Sequence, residues 1–126
     1  RYAMRQVVKN GSGKKADIPG YAVIGKTGTA DIPCKGSYGD CGNRTAFVGA
    51  FPGWDPKYVL LVSFERPKAN IKKGIKRNSS YWNAGPTAGN IIQLVAPLLG
   101  VEYNEFKEIE LPLINDLIDE QPKEIL

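Results

Sequence analysis

The apolar positions of this chain change spacing several times, and each change marks an element. Tyr2, Met4, Val7 and Val8 fall near one helical face and Asn10-Gly11 supplies a stop, so residues 1 to 9 read as the end of a helix. After a Gly/Lys-rich turn from Gly11 to Lys15 and Pro19-Gly20, the run Tyr21-Ala22-Val23-Ile24 opens a strand over about 21–31, with Pro33 near its end. A second strand over about 44–51 sets Thr45, Phe47, Gly49 and Phe51 on one face and Ala46, Val48 and Ala50 on the other. The turn cluster Pro52-Gly53-Trp54-Asp55-Pro56 leads to a third strand over about 57–65, in which polar alternation is nearly absent. Together these predict a three-stranded antiparallel meander. Helical spacing returns over about 86–99, where Pro86 suits a first turn and Ala88, Ile91, Ile92, Val95 and Leu99 form a stripe. Pro97 should end or kink that helix near Gly100. In the acidic tail over 101–126, Leu111, Leu113, Ile114, Leu117 and Ile118 suggest a short extra helix.

The fold class predicted is α+β, with the N-terminal helix end and the C-terminal helix on one face of the sheet. The second and third strands are apolar on both faces, so the other face also needs cover. Left in water it would exceed the few hundred Å² of exposed apolar patch normal for a monomer, and a partner or the rest of a longer chain must supply the cover. A chain of 13.8 kDa suits one domain or part of one, and the absence of an initiator methionine suggests part of a longer chain.

Composition alone is globular, with 42% hydrophobic and 24% charged residues and no repeat or low-complexity tract. The longest apolar run, Tyr58 to Val62, is far short of the roughly 20 residues of a membrane-spanning helix. The net charge of +4 conceals an asymmetry: residues 1–100 carry 15 basic and 5 acidic side chains, residues 101–126 carry 2 and 8. A basic body could face nucleic acid, anionic lipid or an anionic polymer. The aromatic spacing of RNA-binding sheets is absent, so no nucleic-acid partner is expected. The densest basic run, Lys68, Lys72, Lys73, Lys76 and Arg77, reads as a solvated loop.

Cys34 and Cys41 bracket a segment that reads as an exposed loop. With no histidine in the chain, a metal site would lack its usual further ligands, and neither metal nor cofactor is expected. A disulfide closing this eight-residue loop would stabilise the fold by about 2.5 kcal/mol in the chain-entropy model and imply an oxidising compartment. Two unpaired thiols in a reducing cytosol are the alternative.

Gly20-Tyr21-Ala22-Val23-Ile24-Gly25-Lys26-Thr27 matches the nucleotide-binding pattern G-x-x-x-x-G-K-T letter for letter. Its context argues against phosphate binding. A P-loop needs a turn whose N–H groups wrap the phosphate, followed by a helix; here the middle residues are strand formers, and Gly28, Thr29 and Pro33 follow.

The segment Gly25-Lys26-Thr27-Gly28-Thr29-Ala30 instead resembles the third active-site motif of penicillin-binding proteins and serine β-lactamases. The resemblance includes Val7 to Ala16 as the preceding helix end and turn, Ala46 to Pro52 as the neighbouring strand, and Tyr81-Trp82-Asn83-Ala84-Gly85-Pro86 at the start of the last helix. It covers roughly residues 5 to 100 and is most similar to class B penicillin-binding proteins of the cell-division type. Residues 1–100 would be the C-terminal portion of a transpeptidase domain. The resemblance implies that Lys26, Thr27, Gly28 and Thr29 belong to the catalytic site. The Thr29 backbone N–H would be an oxyanion donor, a group typically worth about 10² to 10³ in rate. Thr27 and Thr29 hydroxyls, with Ala30 beside them, would hold the substrate's terminal carboxylate, and Lys26 would add positive charge and bond to a serine of the second motif. Gly28 would leave room for the substrate, which can pair with an edge strand as an added strand.

The family's nucleophile lies in a Ser-x-x-Lys motif, and a Ser-x-Asn motif completes its site. Ser12-Gly13-Lys14-Lys15 matches the first by letters but sits in a glycine-rich turn where the family has no nucleophile, and Ser-x-Asn does not occur. Both are expected upstream of Arg1, which would leave this chain inert alone. The implied partners are a peptidoglycan stem peptide, β-lactam antibiotics, the rest of the parent chain and, through it, divisome proteins. The implied location is the periplasmic side of the bacterial inner membrane, with any anchor outside these residues. A D,D-carboxypeptidase, a β-lactamase or a non-catalytic module of the same fold remain alternatives.

Overall fold

A computed structural model describes residues 1–111, with the backbone only at 37–40. The short helix expected around Leu111 to Ile118 lies outside these residues, apart from Leu111 itself. Helix α1 (Tyr2–Asn10) is followed by a 3₁₀ turn at Lys14–Ala16 and by strands β1 (Ile24–Cys34), β2 (Ser37–Phe51) and β3 (Tyr58–Glu65). Two further 3₁₀ turns, Ile71–Lys73 and Ser80–Trp82, precede helix α2 (Ala84–Leu98). The sheet is antiparallel in the order β1-β2-β3.

Both ends of β1 differ from expectation. It starts at Ile24 rather than near residue 21, because Ala22 takes a left-handed φ of +43° that breaks the extended run. That conformation costs an L-residue about 1 kcal/mol. Packing holds it: Tyr21, Ala22 and Val23 are buried, and the Gly53 N–H donates to the Tyr21 carbonyl. At the other end, the loop expected between the cysteines is a hairpin. Pairing continues to Cys34 and Ser37 across a two-residue turn, Lys35-Gly36, where Gly36 has φ +77°. Since β3 ends at Glu65, opposite Arg44, the outer part of this hairpin projects beyond the three-stranded region. Cys34 and Cys41 are joined there in a disulfide, with Cα atoms 5.7 Å apart.

One face of the sheet is packed, and most of the other is exposed, although Ile24 and Ala50 at one end of it are buried. Thr45, Phe47 and Phe51 point toward the helices and are almost fully buried, as is Val62, the cross-strand partner of Phe47. Full burial of a side chain such as Phe47 is worth about 1.5–3 kcal/mol. Gly25 and Gly49, opposite one another, make room for its ring; a Cβ at Gly25 would also lie 2.6 Å from the Val48 carbonyl. Helix α2 meets this layer with Ala84, Ala88, Ile92 and Ala96, all 0% exposed at four-residue spacing. Ile91 and Val95 pack partly against it, whereas Leu99 lies past the helix end and is exposed. On the opposite face Val48, Val59 and Leu61 are 39%, 76% and 65% exposed. That is the uncovered face the sequence predicts.

Helix α2 starts at Ala84, two residues earlier than expected, because Asn83 Oδ1 accepts the Ala84 N–H at 2.6 Å and caps it. Leu98 ends it one residue after Pro97. Beyond it the chain turns back to α1. The Asn104 N–H donates to the Gly20 carbonyl, Tyr103 packs edge-on against Tyr21, and Glu108 reaches Arg5. Arg5 is 6% exposed and its guanidinium donates to both Glu108 oxygens, to Asp17 and to the Val23 carbonyl. One side chain thus joins α1, the turn before β1 and the chain after α2.

Candidate active site

Among the described residues β1 has a strand neighbour on one side only, so the segment Lys26 to Ala30 occupies a free sheet edge. Its local conformation follows from composition: β-branched threonines alternate with small or flexible residues, and register with β2 runs unbroken from Ile24 to Asp31. Alternation separates the side chains. Thr27 and Thr29 lie opposite Phe47 and Thr45, on the helix-covered side, whereas Lys26 and Gly28 lie opposite Val48 and Ala46, on the bare side. A molecule lying along the edge would be flanked by both sets.

Lys26 is exposed, and its Nζ donates to the Thr27 carbonyl at 2.8 Å. A Cβ at Gly28 would meet nothing within 4 Å, so the chain's own packing does not require glycine there. Any crowding must come from a molecule on the edge. Thr27 is half-buried and its hydroxyl lies 2.6 Å from Ser12 Oγ. A hydroxyl both donates and accepts; with Ser12 as donor, Thr27 keeps its own proton for a ligand. Thr29 is exposed and accepts the Ser80 N–H at 3.4 Å. Ala30 is exposed and, with Asp31, Ile32, Pro33 and Arg44, lines an open cleft of about 380 Å³.

Sequence reasoning did not identify the support behind the motif. Ser80 is buried, and its Oγ donates to the Ala46 carbonyl at 2.5 Å while its N–H reaches Thr29. The Thr45 hydroxyl donates to Asn83 Oδ1 at 2.7 Å, which links β2 to the α2 cap. The available signal was Asn83 just before a helix, a capping residue by type; nothing local marked Ser80. Lys15 does not approach Ser12 as a base would: its Nζ sits 3.8 Å from the centre of the Trp82 ring and 4.8 Å from that of Tyr81. No cluster of metal-binding side chains occurs among the described residues.

Comparison with known proteins gives this edge a family. The family model described as the penicillin binding protein transpeptidase domain matches residues 1–93, which include the whole sheet and the start of α2. The chain belongs to the penicillin-binding-protein transpeptidase family. Within it, the chain is 36% identical over 123 residues to stage V sporulation protein D of Bacillus subtilis, an alignment covering 89% of this chain and 18% of that protein. It is 36% identical over 100 residues to the probable peptidoglycan D,D-transpeptidase FtsI of Caulobacter vibrioides, covering 75% of this chain and 17% of that protein. The transpeptidase domain of penicillin-binding protein 3 from Burkholderia pseudomallei superimposes with a TM-score of 0.69 at 30% identity, covering 82% of this chain and 30% of that one. Penicillin-binding protein 3 of Mycobacterium tuberculosis, in a complex with ampicillin, gives 0.66 at 29% identity, covering 80% and 23%. The chain therefore spans less than a fifth of the length of the Bacillus subtilis and Caulobacter vibrioides relatives.

Proposed function

We propose that this chain forms the substrate-holding side of a serine D,D-transpeptidase that cross-links peptidoglycan. The observation that carries the reading is the Lys26 to Thr29 motif on a sheet edge with no strand neighbour among the described residues. A D-alanyl-D-alanine stem peptide pairs with that edge as an added strand. Thr27 and Thr29 hydroxyls and the Lys26 charge hold its terminal carboxylate, and the Thr29 N–H contributes to the oxyanion hole.

The nucleophilic serine comes from a part of the protein outside these residues. It attacks the penultimate D-alanine carbonyl and forms an acyl-enzyme as the terminal D-alanine leaves with a proton. The amine of a second stem peptide then attacks the acyl carbon, forming the cross-link and releasing the serine. Water in place of that amine would make the enzyme a carboxypeptidase. The bare face at Val48, Val59 and Leu61 supports a missing layer of protein, and the same segment is the natural source of the nucleophile. β-Lactams occupy the stem-peptide position. The protein acts on the periplasmic side of the inner membrane, where its parent meets division proteins.

The test is fluorescent penicillin. The full-length protein should take a covalent label that survives denaturation, residues 1–126 alone should take none, and Thr29→Val should slow labelling of the full-length protein by about tenfold or more. Unchanged labelling of that variant would refute the carboxylate-holding role given to the Thr29 hydroxyl. With paired stem peptides, dimer formation identifies the transpeptidase and release of D-alanine alone the carboxypeptidase.

A further inference from the structure

The basic stretch from Lys68 to Arg77, expected as a solvated loop, is exposed apart from the half-buried Ile75 and is closed on itself by hydrogen bonds. Asn70 and Ile75 exchange two backbone hydrogen bonds, at 2.8 and 3.0 Å, around the Ile71–Lys73 turn. Asn70 Oδ1 also accepts the Lys73 N–H, and Gly74 closes the turn with φ +74°. Thus fixed, the loop forms one wall of a cleft of about 450 Å³ against the start of α2.

Two distant segments bring ammonium groups to this cleft. Lys68 and Lys73 come from the loop, and Lys15 comes from the turn after α1. Lys15 is held over the Tyr81 and Trp82 rings, a cation–π contact that fixes a normally mobile side chain at the cleft. Lys76 lies 5.9 Å from the Trp82 ring centre. Among the described residues no carboxylate lines the cleft and none of these lysines takes part in an ion pair. Glu65, the nearest acidic residue in sequence to the loop, is paired with Arg44 at 3.0 Å. Like charges gathered without a counter-charge repel one another, and an anion relieves that repulsion.

We propose that this cleft binds a small organic phosphate, a phosphomonoester on a short carbon or sugar framework. A monocarboxylate would neutralise one of the three lining lysines, whereas a phosphomonoester carries about −1.5 to −2 near neutral pH. Lysine ammoniums, compact point charges, suit phosphate oxygens, and Thr87 and Asn90 add neutral hydrogen-bonding groups to the lining. The space exceeds what a bare ion needs and falls within the roughly 300–1,000 Å³ of small-molecule sites. Phe64 and Ile75 give the framework an apolar wall. The lining includes none of residues 26–30, and the proposal does not depend on the transpeptidase reading.

The test is titration calorimetry on the full-length protein at low salt with glycerol 3-phosphate, inorganic phosphate, glycerol and malonate. Vesicles of phosphatidic acid or phosphatidylcholine form a second arm. Glycerol 3-phosphate should bind at least about tenfold more tightly than inorganic phosphate or malonate, and glycerol should not bind. The Lys68→Gln/Lys73→Gln variant, and separately Lys15→Gln from the opposite wall, should each weaken binding about tenfold with an unchanged melting temperature. Stronger binding to phosphatidic acid vesicles than to the soluble ester identifies a lipid headgroup as the source, and weaker binding identifies a soluble metabolite. Equal affinity for malonate, equal affinity for inorganic phosphate, or indifference to both variants would overturn the proposal.

Discussion

The hydroxyls of Ser12 and Thr27 lie 2.6 Å apart, tying the glycine-rich turn after α1 to the second residue of the strand motif. Ser12 opens the only stretch that spells Ser-x-x-Lys in the manner of a nucleophile, yet its hydrogen-bond partner is a threonine and Lys15 is held on aromatic rings. Without a base at hand, a serine hydroxyl is a weak nucleophile. Ser12→Ala in the full-length protein should therefore keep its penicillin label and acquire it a few-fold more slowly. The stability loss should be about 1 kcal/mol or less, as for one exposed hydrogen bond. Abolished labelling with unchanged melting would make Ser12 the nucleophile.

Gly25 and Gly28, three residues apart on β1, should fail differently. A Cβ at Gly25 runs into the Phe47 ring and the Val48 carbonyl, so Gly25→Ala should lower stability by about 1–3 kcal/mol, visible as an earlier thermal transition. At Gly28 the same methyl meets open space. Gly28→Ala should melt within about 0.5 kcal/mol of the parent or slightly above it, while acylation by penicillin falls about tenfold or more. Normal acylation rates in the Gly28 variant would show that nothing approaches that point of the edge.

The layered core was partly legible because burial wrote itself into the sequence: Phe47 and Phe51 share one face of β2, and the expected helical stripe included the buried Ala88 and Ile92, though not Ala84 or Ala96. The motif was legible as letters, whereas its position at an edge entered only as a condition for substrate pairing, which the strand order meets among the described residues. What escaped notice depends on geometry or distance. Nothing about Ala22 announces a left-handed φ, and the residues between the cysteines are too polar and glycine-rich to suggest a strand. Ser80 and Glu108 look like ordinary surface residues, since the partner of Glu108 lies 103 positions away in sequence.

That distant partnership predicts a pH dependence. Hydrogen bonding to the Arg5 guanidinium is the main cause that lowers the Glu108 carboxyl from 4.5 to about 2, against a desolvation cost. Burial opposes the Arg5 charge, but Glu108 and Asp17 outweigh it and raise its pKa. A carboxylate with a depressed folded pKa contributes stability above its unfolded value, and that contribution is lost as pH falls toward the folded one. Glu108→Gln should therefore lower the melting temperature at pH 7, by an amount equivalent to about 1–2 kcal/mol once partial exposure is discounted. Between pH 4.5 and 2 the variant and parent should converge. A pH-independent difference would mean that lost packing, not the ion pair, is responsible.

The disulfide gives a simpler test. Cys34→Ser should lower stability by up to about 2.5 kcal/mol, the chain-entropy value for its short loop, and reductant should reproduce the change in the parent but not in the variant. Non-reducing peptide mapping should recover residues 34 and 41 in one cross-linked fragment. Free thiols in protein isolated without reductant would contradict the pairing and the oxidising compartment it implies.

An edge left open for a peptide is also open to the matching edge of another molecule, the usual start of sheet-to-sheet aggregation. Strand β1 carries its own deterrents there: the exposed Lys26, which repels its counterpart on an identical edge, and Pro33, which offers no N–H. A short peptide ending in a carboxylate meets a favourable charge where a second copy of the strand meets a like one. On the proposed reading, the lysine that favours the guest also disfavours pairing of the protein with its own copy.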